Sequence, residues 1–139
     1  MLKKSITYTD FNGVERTEDF FFNLTKAEIM ELELGVTGGL TAMVQGVVMA
    51  QDTPSLIKIF KELILKSYGE KSADGKRFIK INDAGVSLAN NFAQTEAYSE
   101  LFMLLATNED EASNFIRGIV PSDVSERMDD DEVKKLTTV

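Results

Sequence analysis

The sequence predicts a mainly α domain, with an N-terminal β-hairpin followed by about six short helices in one compact unit. Three observations carry that expectation. Asn12-Gly13 sits between two β-prone runs, a strong hairpin signal. Helix-start residues recur downstream at Thr25, Thr53-Pro54, Thr95 and Asn108. Between them, apolar residues return at helical spacing. The expected boundaries are a domain over 1–121, with the hairpin at 2–24 and helices at 25–121. An acidic, disordered tail follows at 122–139.

The hairpin register follows from its apolar residues. A three-residue loop, Phe11-Asn12-Gly13 with Gly13 in the left-handed region, pairs Tyr8 with Arg16, Ile6 with Glu18, Lys4 with Phe20 and Leu2 with Phe22. Leu2, Ile6, Tyr8, Val14, Phe20 and Phe22 then share one face. Ser5, Thr7, Thr9, Glu15, Thr17 and Asp19 share the other. A two-residue loop separates Ile6 and Tyr8 from Phe20, so matching apolar faces selects the longer loop. Phe21 falls on the polar face. Either a later helix or loop covers it, or it meets another chain. A two-stranded hairpin is marginal alone in water, so this one needs helices or a second copy to pack on.

Thr25-Lys26-Ala27-Glu28 reads as a capping box, with Leu24 and Ile29 as the hydrophobic staple and Gly35 as the stop. Val36-Thr37-Gly38-Gly39 is a turn without the strand and Lys-Ser/Thr pair of a phosphate loop. Leu40, Met43, Val44, Val47 and Val48 line a helix that Gly46 weakens by about 1 kcal/mol relative to Ala. Thr53-Pro54 starts a central helix whose stripe is Leu56, Ile57, Phe60, Leu63, Ile64 and Tyr68, ended by Gly69. A polar loop with a short hairpin around Asp74-Gly75 leads to Phe78, Ile79 and Ile81. Asn82 or Asp83 caps a short helix running to Ala93. Thr95 caps a helix bearing Tyr98, Leu101, Phe102 and Leu105. Asn108 caps one with Glu109, Asp110 and Glu111 in its first turn and Phe115, Ile116, Ile119 and Val120 on its apolar face. Pro121 closes it.

Composition excludes much chemistry. The 139 residues include no Cys, so disulfides and thiolate chemistry are absent; no His removes the commonest general base and metal ligand. No apolar run approaches the roughly 20 residues of a membrane span, and residues 1–10 hold no apolar signal segment. Asp129-Asp130-Asp131 lacks the calcium-loop pattern. Glu28 and Glu31 share a helix face, but nothing around them specifies a cleft. The expectation is a non-enzymatic protein without cofactor or metal. Met30, Met43, Met49 and Met103 fall at helix-core positions, where Met more often fills gaps than grips varied clients.

The net charge is −8, which opposes phosphate backbones and anionic lipid. It is uneven: residues 53–80 carry 7 basic and 3 acidic side chains, while every other stretch is acidic. Lys58, Lys61 and Lys66 read as a solvated helix face, and Lys71, Lys76, Arg77 and Lys80 as decoration of the loop after it. The competing reading is a patch for an acidic partner or for the acidic segments of a neighbouring copy. Nucleic acid is the weakest of these readings.

An ordered series of segments resembles a known family. These are ITYTDFNG at 6–13, VERTEDFFFNLTKAEIMELELG at 14–35, Gly38-Gly39-Leu40, QDTPSLIKIFKELILKSYGEKSADGKRFIK at 51–80, QTEAYSELFMLLAT at 94–107, and Phe115 to Pro121. Together they resemble the tail assembly chaperones of long-tailed phages that infect Gram-positive bacteria, over roughly residues 1–121. The resemblance brings no catalytic residues. It implies a protein of the bacterial host cytoplasm, absent from the finished virion. Such a protein binds the tape measure protein and keeps it soluble until the tail tube polymerises. It also implies a longer form made by ribosomal frameshifting, reaching the tail tube protein, and self-association. Lys134-Lys135 suits a slippery run of adenines. The expected docking mode is helix-in-groove. The groove is placed between the helices at 40–50 and 54–68, with Leu40, Met43, Val44, Val47, Leu56, Phe60 and Leu63 as contacts and Phe21 as a second or self-association surface. The alternative is a structural tail protein of the virion, of tube or terminator type, for which a β-rich ring-forming fold is expected.

Overall fold

The computed structural model describes residues 1–35 and 53–120. The turn expected at 36–39, the helix expected at 40–50, Pro121 and the segment 122–139 lie outside the described residues.

Two eight-residue strands, β1 (Leu2–Thr9) and β2 (Glu15–Phe22), pair antiparallel in the expected register, Leu2 with Phe22 through Tyr8 with Arg16. The turn is built by Asp10. Its N–H donates to the Val14 carbonyl at 2.8 Å, and its own carbonyl accepts from Gly13 at 3.0 Å. Its Oδ1 accepts from the N–H groups of Asn12 and Val14 at 2.9 and 3.0 Å. Gly13 sits at φ 79°, where a side chain is strained.

The fold class differs from the expectation. Two further strands, β3 (Tyr68–Lys71) and β4 (Phe78–Ile79), extend the hairpin into a four-stranded antiparallel sheet of order β1-β2-β3-β4. Five helices accompany it among the described residues: α1 (Lys26–Gly35), α2 (Thr53–Ser67), α3 (Leu88–Phe92), α4 (Glu96–Thr107) and α5 (Glu109–Ile119). The protein is therefore mixed, not a mainly α domain of six helices on one hairpin. The departure starts at the end of α2. Ser67, fully buried, turns its hydroxyl back onto the carbonyls of Leu63 and Ile64 at 2.6 and 3.2 Å. Tyr68 then leaves the helix and runs extended against Phe22 instead of continuing the helical stripe. Gly69 is not a helix stop. It pairs with Phe21, and a Cβ there would stand 2.6 Å from both the Ile79 carbonyl oxygen and the Phe78 ring. Glycine lets β4 approach that closely.

The short helix α3 also starts later than expected. Residues 82–86 form a turn, and Asn82 repeats the chemistry of Asp10. Its N–H donates to the Val86 carbonyl, its carbonyl accepts from Gly85, and its Oδ1 accepts from Ala84 and Val86. Gly85 takes φ 78°. Ser87 is the actual cap, accepting from the Asn90 N–H at 3.2 Å. The caps at Thr25, Thr95 and Asn108 match the sequence, and Thr53 opens α2. Thr25 and Glu28 exchange reciprocal bonds at 2.9 and 3.2 Å, Thr95 accepts from Tyr98, and Asn108 accepts from Glu111.

The helices pack on the inner face of the sheet. Ile6, Phe22, Leu24, Ile64, Phe92, Ala97, Leu101, Leu105, Phe115 and Ile119 form the core. Its centre is aromatic: the Tyr68 and Phe92 rings stack at 4.3 Å, and Phe22 meets Tyr68, Phe92 and Phe115 edge-on within 5.8 Å. Two ion pairs tie distant elements together. Lys4 of β1 meets Glu111 of α5 at 2.5 Å. Lys80 meets Glu28 of the α1 capping box at 2.5 Å and also donates to the Lys66 carbonyl near the end of α2 at 2.7 Å. Lys80 is thus a half-buried bridge rather than loop decoration.

Candidate functional site

Two open clefts display apolar side chains. The first lies between α2 and α4 and encloses about 230 Å³, lined by Ile57, Lys61, Tyr98, Ser99, Phe102 and Met103. Helical geometry explains it. Ile64 on α2 and Leu101 and Leu105 on α4 point into the core, so the residues rotated off that stripe reach the surface. Ile57 is 41% exposed and Met103 57%. Tyr98 supports the floor, its ring 5.9 Å from Phe92 and 6.0 Å from Phe102. Burial raises the Tyr98 phenol above its ordinary value, so it stays neutral at physiological pH. Exposed Lys61 places a cation at the rim.

The second cleft is a fork in the sheet. β2 and β3 pair only at Phe21–Gly69 and Phe22–Tyr68, then separate. The gap encloses about 520 Å³ between Glu18, Asp19, Phe20 and Phe21 on one side and Tyr68, Gly69, Glu70 and Lys71 on the other, with Met1 at its margin. Tyr68 is raised above its ordinary value, first by burial and then by the carboxylates of Glu70 and Glu18.

The residues singled out from the sequence separate into three groups. Phe21 is half-buried at the fork, opposite Lys3 and Gly69, and lines the second cleft. Phe60 and Leu63 are 6% and 5% exposed and face inward, closed to a partner in this conformation. Leu40, Met43, Val44 and Val47 lie outside the described residues; Leu56 belongs to α2, but its side chain is outside them too. The described wall facing α2 is α4, so Phe102 and Met103 join the open surface. Sequence reasoning placed Phe102 on the apolar face and Met103 among gap-fillers. The only sequence signal for their exposure is that they follow Leu101 directly, which rotates them away from the stripe it defines.

Elsewhere the titratable groups serve structure. Burial would push Glu28 up, but the Lys80 ammonium and the Thr25 N–H and hydroxyl together hold it below the ordinary carboxylate range. The Arg16 guanidinium, 2.6 Å away, and the Val14 N–H hold Asp10 down. Among the described residues no cluster of three or more acidic side chains is arranged to hold a metal ion, and no helix is long and apolar enough to cross a membrane.

Fold and clefts together define a class: a small sheet-and-helix domain that presents apolar and aromatic side chains in shallow open surfaces. Comparison with protein families gives its membership. The family described as phage tail assembly chaperone matches residues 1–138, and this chain belongs to that family. No curated protein and no solved structure matches the chain.

Proposed function

We propose that this protein binds the tape measure protein in the host cytoplasm, keeps it soluble until the tail tube polymerises around it, and is then left out of the virion. Family membership supports the chaperone role. The observation that carries the client reading is the α2–α4 cleft, where Ile57, Phe102 and Met103 offer apolar surface beside a basic rim. A long filament core with exposed apolar helical stripes needs such a cover before its tube exists. The net charge of −8 keeps the covered complex dispersed. Self-association, and contact with the tail tube protein through a longer frameshifted form, belong to the same reading. The virion-component alternative asked for a ring-forming β-rich fold. The sheet is larger than one hairpin, but the family match is to chaperones.

Co-expression with fragments of the tape measure protein tests this. The expected result is a soluble, co-purifying fragment. Ile57→Glu with Met103→Glu is expected to leave the protein folded, each exposed change shifting stability by no more than about 0.5 kcal/mol, and to return the fragment to the pellet. Fragments that stay insoluble and unbound beside the wild-type protein would refute the proposal.

A further inference from the structure

The fork between β2 and β3 leaves a strand edge open. In an antiparallel ladder, alternate residues turn their backbone groups to opposite sides. Asp10 bonds Val14 across the turn, which sets the phase: Arg16, Glu18, Phe20 and Phe22 turn toward β1. Glu15, Thr17, Asp19 and Phe21 turn the other way. Phe21 meets Gly69 of β3. The other three face solvent, and among the described residues nothing bonds to their backbone on that side. The edge has five consecutive exposed residues, 15–19, and leads into the 520 Å³ gap.

Charge and aromatic surface state what fits. Glu18, Asp19 and Glu70 outnumber the ammonium of Lys71 and the Met1 amino group at the margin of the gap. Arg16 is engaged by Asp10 and also reaches Glu18, which accepts from the Tyr8 hydroxyl, so Asp19 and Glu70 are the carboxylates open to a cation. Phe20, Phe21 and Tyr68 line its walls. Carboxylates beside aromatic rings suit a cation on an aliphatic stem, which the rings attract and the carboxylates pair. An acidic segment would meet like charge there. A second copy of this edge would set Glu15 against Asp19 in a symmetric pairing about Thr17, which is repulsive.

We propose that the free edge of β2 takes up, by strand addition, an extended segment of another polypeptide in which Lys or Arg alternates with apolar residues, its end seated in the fork between β2 and β3. Backbone bonds at Thr17 and Asp19 supply the affinity, and the fork supplies the preference for cations. This stands apart from the tape-measure reading, which concerns the α2–α4 cleft.

The probe is an end-capped alternating Lys-Val octapeptide, compared with its Glu-Val counterpart and with a Lys-Val version N-methylated at alternate amides. Titration calorimetry and amide hydrogen exchange of the full chain are the readouts. The expected result is binding of the Lys-Val peptide that weakens as salt rises, with slowed exchange at Thr17 and Asp19. The Glu-Val and N-methylated peptides are expected not to bind. Thr17→Pro removes an outward N–H without touching the ladder to β1 and is expected to abolish binding. The double change Asp19→Lys with Glu70→Lys, which keeps every backbone donor, is expected to weaken it about tenfold. Equal binding of the Glu-Val peptide, or binding that leaves Thr17 and Asp19 unprotected, would overturn the proposal. Slowed exchange at those amides that grows with protein concentration alone would also overturn it, by giving the edge to a second copy.

Discussion

The first hairpin meets two environments. At one end Phe22 is fully buried, its ring set against Tyr68, Phe92 and Phe115, with Leu2 packed on α5 beneath Gly118. At the other end Arg16, Thr17 and Glu18 stand in solvent, and local polar contacts hold the strands: the Thr7 and Thr17 hydroxyls at 2.9 Å, the Tyr8 hydroxyl donating to Glu18, and Arg16 on Asp10. The same two-residue alternation runs through both ends. Alternation tells which face is apolar, but the reach of the helices above decides how much of that face is covered. One end therefore contributes stability, and the other contributes accessible surface.

The largest expected effect breaks the buried end. Phe22→Ala removes a ring from the centre of the aromatic cluster and is expected to cost about 3–5 kcal/mol in denaturant unfolding. Next comes a pair of glycines that separates two physical causes. Gly69→Ala meets the backbone oxygen of Ile79 and the Phe78 ring, and is expected to cost about 1–3 kcal/mol. At Gly13 nothing stands within 4 Å of an added Cβ, so Gly13→Ala has only the left-handed backbone to oppose it, about 1–2 kcal/mol. Gly13→Asn should recover part of the loss at the turn, while Gly69→Asn should recover none. If both glycines respond alike, the steric account of Gly69 is wrong.

Acid sharpens the contrast further. Glu28, Asp10 and Asp74 are all held below the ordinary carboxylate value, Asp74 chiefly by the Lys76 N–H and the Ser72 hydroxyl. A folded value below the unfolded one means that the stabilisation is complete above about pH 5 and is lost as pH falls through the folded values. Melting temperature is therefore expected to drop progressively as pH falls below about 5. Glu28→Gln should start lower, by about 1 kcal/mol or less, and fall less steeply, with the two curves converging in acid. Asp10→Asn should flatten the curve while keeping the turn, because Asn82 makes the same turn with an amide. The smallest effect belongs to the exposed loop: Phe11→Ser, at a side chain 78% exposed, should leave unfolding within about 0.5 kcal/mol of wild type.

Local chemistry was the legible part. The hairpin register, the Thr25–Glu28 box and the caps at Thr95 and Asn108 each involve residues within a few positions of one another, and all stand as read. The Asn82 turn is legible too, since Asn-x-x-Gly-Val repeats Asp-x-x-Gly-Val at 10–14, but an Asn or Asp before an apolar run reads equally as a helix cap, which is how spacing alone places Asn82 or Asp83. Among the candidate contacts, Phe21 stands out in the sequence because an apolar residue on a polar face is an anomaly, and in the structure it lines the second cleft. Ile57 falls on the apolar stripe that spacing assigns to α2, and its exposure appears only once α2 and α4 are packed together.

From the sequence alone came the hairpin, its inner and outer faces, the main helix starts, and the absence of the side chains most chemistry uses. These follow from backbone sterics and hydrogen bonds that close over a few residues. The tertiary structure alone decided that Tyr68 leaves the helix for a third strand, that Gly69 answers to the Phe78 ring rather than to a helix end, and that Lys80 reaches Glu28. The Tyr68–Phe22 and Lys80–Glu28 pairings join residues far apart in the chain, and Gly69 meets Phe78 only because β4 folds back on β3. Their stability depends on which surfaces meet, and spacing within a segment carries no record of that.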